Sequence, residues 1–133
     1  LYSRDEFNEP MDGIVYAVMV SLGFATIENL AYVYVYHPDQ GLTVAFSRMY
    51  SAIPLHAFCG IILGYFVGLA KFNVDSNKFL FKGLFLAVLL HCLYDYYIFA
   101  GDSFLFSILS LIAAGYYSNK AINMLQYDSK TRN

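Results

Sequence analysis

Apolar and polar positions in this chain fall into long blocks. Gly13 to Tyr36 runs for about 24 residues with one charge, Glu28. Leu42 to Ala70 runs for about 29, interrupted by Arg48, Pro54 and His56. Phe79 to Ala100 is about 22 residues long and holds His91 and Asp95; the last block, from Phe104, stays apolar to Tyr117 and continues in helical pattern to Leu125. Between them lie His37-Pro38-Asp39-Gln40-Gly41, Lys71 to Lys78, and Gly101-Asp102, which read as turns or polar loops, and Ser103 can cap the next helix. A helix rises 1.5 Å per residue, so about 20 apolar residues cross the hydrocarbon core. The blocks predict an all-α fold, a polytopic membrane helical bundle. It has four transmembrane helices over about residues 13–36, 42–70, 79–100 and 103–125. We treat residues 1–133 as one transmembrane domain. Pro10 and Asp12 mark the first helix start, with Asp12 as N-cap, and Pro54 should kink the second helix.

Composition agrees. The chain is 59% hydrophobic and 14% charged, against about 25% charge in soluble domains. A net charge of −2 excludes the basic footprint of a nucleic-acid binder. Cys59 and Cys92 lie inside apolar runs and read as small buried residues, not as a disulfide framework. Tyrosines gather near the block ends (Tyr34, Tyr36, Tyr96, Tyr97, Tyr116, Tyr117), as an interfacial belt places them. Arg4, Lys71, Lys78, Lys82, Lys120, Lys130 and Arg132 all fall on one side of a four-span arrangement. By the positive-inside rule that side is cytoplasmic, so both termini face the cytoplasm of a multi-pass protein in the cell membrane.

The charges inside the blocks change the picture further. Counted from the cytoplasmic ends, Glu28, His56, His91 and Asp95 all lie roughly 18 to 24 Å deep at 1.5 Å per residue. Ionisable groups at that depth are costly, so they face inward, find partners and mark function. His91 and Asp95, four apart, share one helix face. Two imidazoles and a carboxylate can hold zinc and leave a position open for water. The same groups can instead form a proton relay or a structural hydrogen-bond network. Each residue has a plainer reading too. Glu28 can be a buried acid bonded to a neighbouring helix, and His56 a packed ring bonded to a carbonyl freed by Pro54. His91 with Asp95 can be a structural pair. Arg48 can snorkel or pair with an acid, or it can grip the substrate backbone or the site carboxylates. Asn29 can donate to an oxyanion or tie helices together. Cys59, one turn past His56, is a further ligand option. Gly60, Gly64 and Gly68 form a small-residue row for close helix packing.

Phe24 to Glu28 (FATIE, with Asn29 and Tyr32 following) resembles the FxxxE motif of the PrsW family of intramembrane proteases, and His91 to Asp95 (HCLYD) its HxxxD motif. Arg48 through His56–Gly60 (HAFCG) is similar to the His-bearing helix between them, and the lead-in from Glu9 to Phe24 also matches. The resemblance covers most of residues 9–96. It implies a membrane-embedded peptidase, related to the CAAX-processing and bacteriocin-processing proteases, that cuts a single-span substrate such as an anti-sigma factor on its extracytoplasmic side. It implies Glu28, His56, His91 and Asp95 as catalytic residues, with Glu28, His56 and His91 as the ligands if zinc (Zn2+) is the cofactor. Asn29 and Arg48 then take substrate-binding or oxyanion roles. The chain departs from the family in having no Glu-Glu pair for the upstream EExxK motif. With a start at Leu1 and not Met, this leads us to expect a fragment lacking upstream helices, with a general base outside these residues. Two other functions compete: a proton- or ion-conducting (transporter) bundle, and a non-catalytic relative that binds membrane clients.

Overall fold

The computed structural model describes residues 6–72, 76–99 and 104–132. The expected residues at the extreme N-terminus, the middle of the Lys71–Lys78 loop and the Gly101-Asp102 turn with its Ser103 cap lie outside them. Among the described residues every regular element is helical: α1 Pro10–Ala31, α2 Gly41–Tyr50, α3 Ala52–Phe72, α4 Ser76–Phe99 and α5 Phe104–Arg132. A π-helical turn, Tyr32–Tyr36, and a 3-10 turn, Pro38–Gln40, join α1 to α2. Among the described residues, three stretches are long and apolar enough to cross a membrane: Pro10–Tyr36, Pro38–Phe72 and Ser76–Ile98. The fourth expected helix, α5, is apolar up to Tyr117 and then turns polar at Ser118, Asn119 and Lys120.

Two local features differ from the sequence reading. α1 begins at Pro10, with Pro in its first turn, where a missing N–H costs nothing. Asp12 therefore lies inside the first turn and not at the N-cap; its Oδ2 accepts the backbone N–H groups of Asn8 and Glu9, each at 3.0 Å. The second apolar block is not one kinked helix but two helices parted at Ser51 (φ −123°, ψ −67°). Pro54 explains the site of the break. It has no N–H for the Tyr50 carbonyl, and its ring crowds that carbonyl, yet it is tolerated in the first turn of a new helix. That helix opens with the Leu55 N–H on the Ser51 carbonyl, 3.1 Å.

α3 is the centre of the bundle, and its buried positions include Leu55, His56, Cys59, Gly60, Ile62, Gly64 and Gly68. α1 lies antiparallel along the glycine row. A Cβ built on Gly68 would sit 2.2 Å from the Pro10 carbonyl oxygen, one on Gly64 2.4 Å from Ile14 Cα, and one on Gly60 2.9 Å from Val18 Cα. Only hydrogen fits between these backbones, and dispersion across such close contact is the main attraction available between helices in lipid. The opposite side of α3 meets α4 and α5 through Leu55, Cys59, Ala87, Tyr94 and Ala114, with Phe58, Leu63, Leu90 and Leu111 around them. Ser118 Oγ donates to the Phe58 carbonyl at 3.1 Å. At the end of α3 away from Ser51, Lys71 donates to the Phe7 carbonyl and its Nζ lies 4.5 Å from the Phe7 ring centroid. Phe7 is itself buried beside Tyr16 and Phe72. An ammonium among aromatic rings at a helix end has the chemistry of an interfacial anchor.

Candidate functional site

His56 is one turn beyond Gly60 on the same α3 ridge that packs on α1. Its carbonyl accepts Ser21 Oγ at 2.7 Å, extending the antiparallel register by another turn. Side chains lean toward the N-terminus of their own helix. The His56 ring therefore leans toward the Ser51 end of α3, and Glu28, on the antiparallel α1, leans down to meet it. Glu28 Oε2 and His56 Nε2 are 3.0 Å apart. Phe24, one turn below Glu28 on the same face, lies with its ring centroid 5.6 Å from that of His56. This is the physical content of the FxxxE spacing: the ring covers the imidazole that the acid binds.

α4 brings the third group. His91 Nε2 is 3.3 Å from His56 Nε2, with the rings edge to face. His91 Nδ1 is 3.0 Å from Asp95 Oδ2. That contact assigns the ring proton to Nδ1 and leaves the Nε2 lone pair facing His56 and Glu28. One oxygen and two imidazole nitrogens, one from each of Glu28, His56 and His91, lie within 4.8 Å of one another. Glu28 Oε2 and His91 Nε2 both face His56 Nε2 as acceptors. A single proton on His56 can serve only one neighbour at a time, so the cluster is built for a shared proton or a cation. Zinc bonds of about 2.0–2.1 Å in tetrahedral geometry set ligand atoms roughly 3.3 Å apart. The 3.0 and 3.3 Å separations suit two sides of that ligand triangle and the third lies within 4.8 Å, and the Asp95–His91 contact is the usual outer partner of a ligating histidine.

The charges are paired from outside the cluster. Arg48, on α2, donates from Nη2 to Glu28 Oε2 and from Nε to Asn29 Oδ1. Its Cζ lies 3.9 Å from the Tyr32 ring centroid. Tyr32 opens the π turn, closed by the His37 N–H on the Tyr32 carbonyl at 3.0 Å; such wide turns recur at functional sites. His56 is only 2% exposed, whereas the side chains of Glu28, His91 and Asp95 are 21, 23 and 35% exposed. A cleft of about 660 Å³ between α1 and α4, floored by α3, reaches His56 and His91. Val20, Leu63, Val67, Leu84 and Val88 make its walls almost wholly apolar.

The structure thus brings Glu28, His56, His91 and Asp95 into one chain of contacts and joins Arg48 and Asn29 to it through Glu28. Cys59 stands apart: its Sγ points to the Ala87 carbonyl, 3.5 Å away. His37 is exposed and stacks on Tyr32. Two contributors escaped the sequence reading. Ser21, which holds the His56 backbone, gave a signal only as a small polar residue facing the glycine row. Tyr32 was visible beside the FxxxE motif but not as a platform for Arg48.

A family model described as "PrsW family intramembrane metalloprotease" matches residues 1–118. Protease PrsW of Geobacillus kaustophilus is 40% identical over 103 residues, covering 77% of this chain and 44% of that protein. The Shouchella clausii protein is 43% identical over 96 residues (71% and 43%), and the Bacillus subtilis protein 37% over 111 (82% and 49%). The chain spans less than half the length of these relatives. No solved structure matches it. With its family model covering most of its length and its relatives agreeing in name, the chain belongs to the PrsW family of intramembrane metalloproteases.

Proposed function

We propose that this chain carries the zinc centre of an intramembrane protease that hydrolyses a peptide bond in a membrane-anchored protein. One observation carries the reading: Glu28, His56 and His91, from three separate helices, offer ligand atoms within 4.8 Å of one another. A proton-conducting row would string such groups along the membrane normal; here they close on a point. Zinc bound there supplies Lewis acidity, acidifying a water and polarising a carbonyl.

The chain's own residues do the rest. His56 and His91 direct their Nε2 atoms to the centre, and Asp95 fixes the His91 ring through Nδ1. Glu28 supplies the negative ligand, its charge balanced by Arg48. Phe24 and the apolar walls of the cleft keep bulk water from the rings. The cleft lies between α1 and α4, and an entry between those two helices would suit a membrane-embedded segment. The substrate class this suits is a single-span membrane protein, and an anti-sigma factor is one such protein. With the basic residues placed inside, both ends of the chain are cytoplasmic and the site lies nearer the outer face, so the cut falls toward the extracytoplasmic side.

The test uses the full-length protein, purified and reconstituted with a single-span reporter. We expect stoichiometric zinc and cleavage, both lost in Glu28→Ala and His91→Ala. Cleavage by metal-free protein removes the zinc and leaves a carboxylate–histidine hydrolase. Intact cleavage in both variants refutes the catalytic site. Proton flux through liposomes with no cleavage of any reporter favours a conducting bundle instead.

A further inference from the structure

Arg48 and Asn29 lie beside the Glu28–His56–His91 cluster; the family resemblance gives them to the substrate or an oxyanion, while the residues alone also allow Arg48 to pair with an acid or grip the site carboxylates and Asn29 to tie helices together. Their geometry follows the second course. The Arg48 fork is already engaged: Nη2 on Glu28 Oε2, Nε on Asn29 Oδ1, and the guanidinium face on the Tyr32 ring. The side chain is 13% exposed. Glu28 and Asn29 are neighbours on α1 and Tyr32 opens the π turn that continues it, so all three anchors lie on one continuous helical stretch and Arg48 clamps them from α2. Asn29 spends its oxygen on the arginine.

We propose that Arg48 is a positioning residue that holds Glu28 as a metal ligand, and that Asn29 acts through Arg48 by fixing its guanidinium. The inference rests on the hydrolytic zinc reading above. A carboxylate has room for more than one partner on each oxygen, so Arg48 occupies one side of Oε2 and leaves the other facing His56. Relief of repulsion between guanidinium and ion would favour metal binding when Arg48 is removed. The pair meets the ion as a near-neutral unit, however, and an unpaired carboxylate at membrane depth turns away to find another partner. Loss of orientation therefore wins. Lysine keeps the charge but cannot grip two anchors in a fixed plane.

The experiment titrates zinc into metal-stripped full-length protein against a chromophoric chelator and measures reporter cleavage on the same samples. Melting in detergent confirms that each variant is folded. Outer partners of metal ligands typically carry about 10- to 100-fold in affinity or activity. Arg48→Met should weaken zinc binding by roughly that factor, and Arg48→Lys should recover part of it. Asn29→Ala should weaken it less, and should add nothing in the Arg48→Met background. Zinc binding in Arg48→Met as tight as in the unaltered protein, or tighter, overturns the proposal. So does an Asn29→Ala protein with intact zinc affinity and a loss of kcat that persists in the double variant, because that asparagine serves the substrate directly. If the unaltered protein cleaves without zinc, the metal reading fails separately and the comparison moves to kcat. A fall in Arg48→Met at constant KM then sustains the positioning role, and an unchanged kcat ends it. A protein that neither binds zinc nor cleaves removes the site and this inference with it.

Discussion

Replacing Gly64 by alanine adds one methyl group about two helical turns along α3 from His56, and we expect it to cripple the site. The new Cβ would lie 2.4 Å from Ile14 Cα and 2.5 Å from the Gly13 carbonyl oxygen. Both are backbone atoms of a helix, so no rotamer change relieves the contact. Ordinary van der Waals contact begins at 3.4 Å, so α1 must move off α3 by the difference between 3.4 and 2.4, about 1 Å. Moved as a rigid rod, α1 carries Glu28 with it. The 3.0 Å separation between Glu28 Oε2 and His56 Nε2 then opens to roughly 4 Å, beyond hydrogen-bond reach. A misplacement of about 1 Å can cost about 100-fold in rate, or about 2.7 kcal/mol of transition-state stabilisation. Overpacking itself costs about 1–3 kcal/mol of stability, so folding and function must be scored apart.

The assay is reporter cleavage by the full-length protein, with zinc content and the detergent melting temperature measured on the same preparation. Gly23→Ala is the control. It lies on α1, the helix that the Gly64 substitution displaces, with nothing within 4 Å of its added Cβ, and alanine there should gain about 0.5–1 kcal/mol of helix propensity. We expect Gly23→Ala to cleave normally and Gly64→Ala to lose about two orders of magnitude while still folded. Normal cleavage by Gly64→Ala would refute the claim that this helix contact sets the Glu28–His56 distance.

Three further outcomes are expected. Asp95→Asn retains an acceptor for His91 Nδ1 but loses the charge, and should reduce zinc affinity or activity by about 10-fold or more; unchanged zinc affinity and turnover would remove Asp95 from the site. Ser21→Ala removes the 2.7 Å bond to the His56 carbonyl and should cost about 0.6 kcal/mol in a melting experiment, the usual value for such bonds in membranes; a loss above about 2 kcal/mol would mean that Ser21 has a role beyond this bond. Cys92 is exposed on the cleft and Cys59 is buried, so a small maleimide should label Cys92→Ala far more slowly than Cys59→Ala, and equal rates would contradict the packing of α3 on α4.

Much of the site could be read before any coordinates, for reasons that are physical. Lipid forces ionisable groups inward, so counting residues from the helix ends placed Glu28, His56 and His91 at one depth. The four-residue step from His91 to Asp95 is a helix property and transferred intact. The row of Gly60, Gly64 and Gly68 announced a close helix contact, although not that α1 would fill it. The parting of α2 from α3 at Ser51 was harder. Pro54 signals disturbance, but a kink and a full break have the same local sequence and differ only in how the two halves pack. Arg48 was hardest of all. Its partners are 19 and 20 residues away, across a π turn whose extra residue shifts the register that a regular helix would predict.

Packing and chemistry share a single ridge of α3. Gly68, Gly64 and Gly60 bring α1 to backbone contact, and His56 follows at the next step of four with its carbonyl on Ser21 and its ring on Glu28. A histidine in that row works only because the three positions before it have no side chain. Were they alanines, the ring would still point the same way, but the acid would stand an ångström or more too far off. Stability and activity are therefore coupled more tightly along α1–α3 than along α3–α4, where side chains such as Leu55, Leu63 and Leu90 fill the contact and can repack. Substitutions on the glycine ridge should lose cleavage and melting temperature together, whereas conservative changes among those leucines should lower the melting temperature first and leave the Glu28–His56 spacing in place.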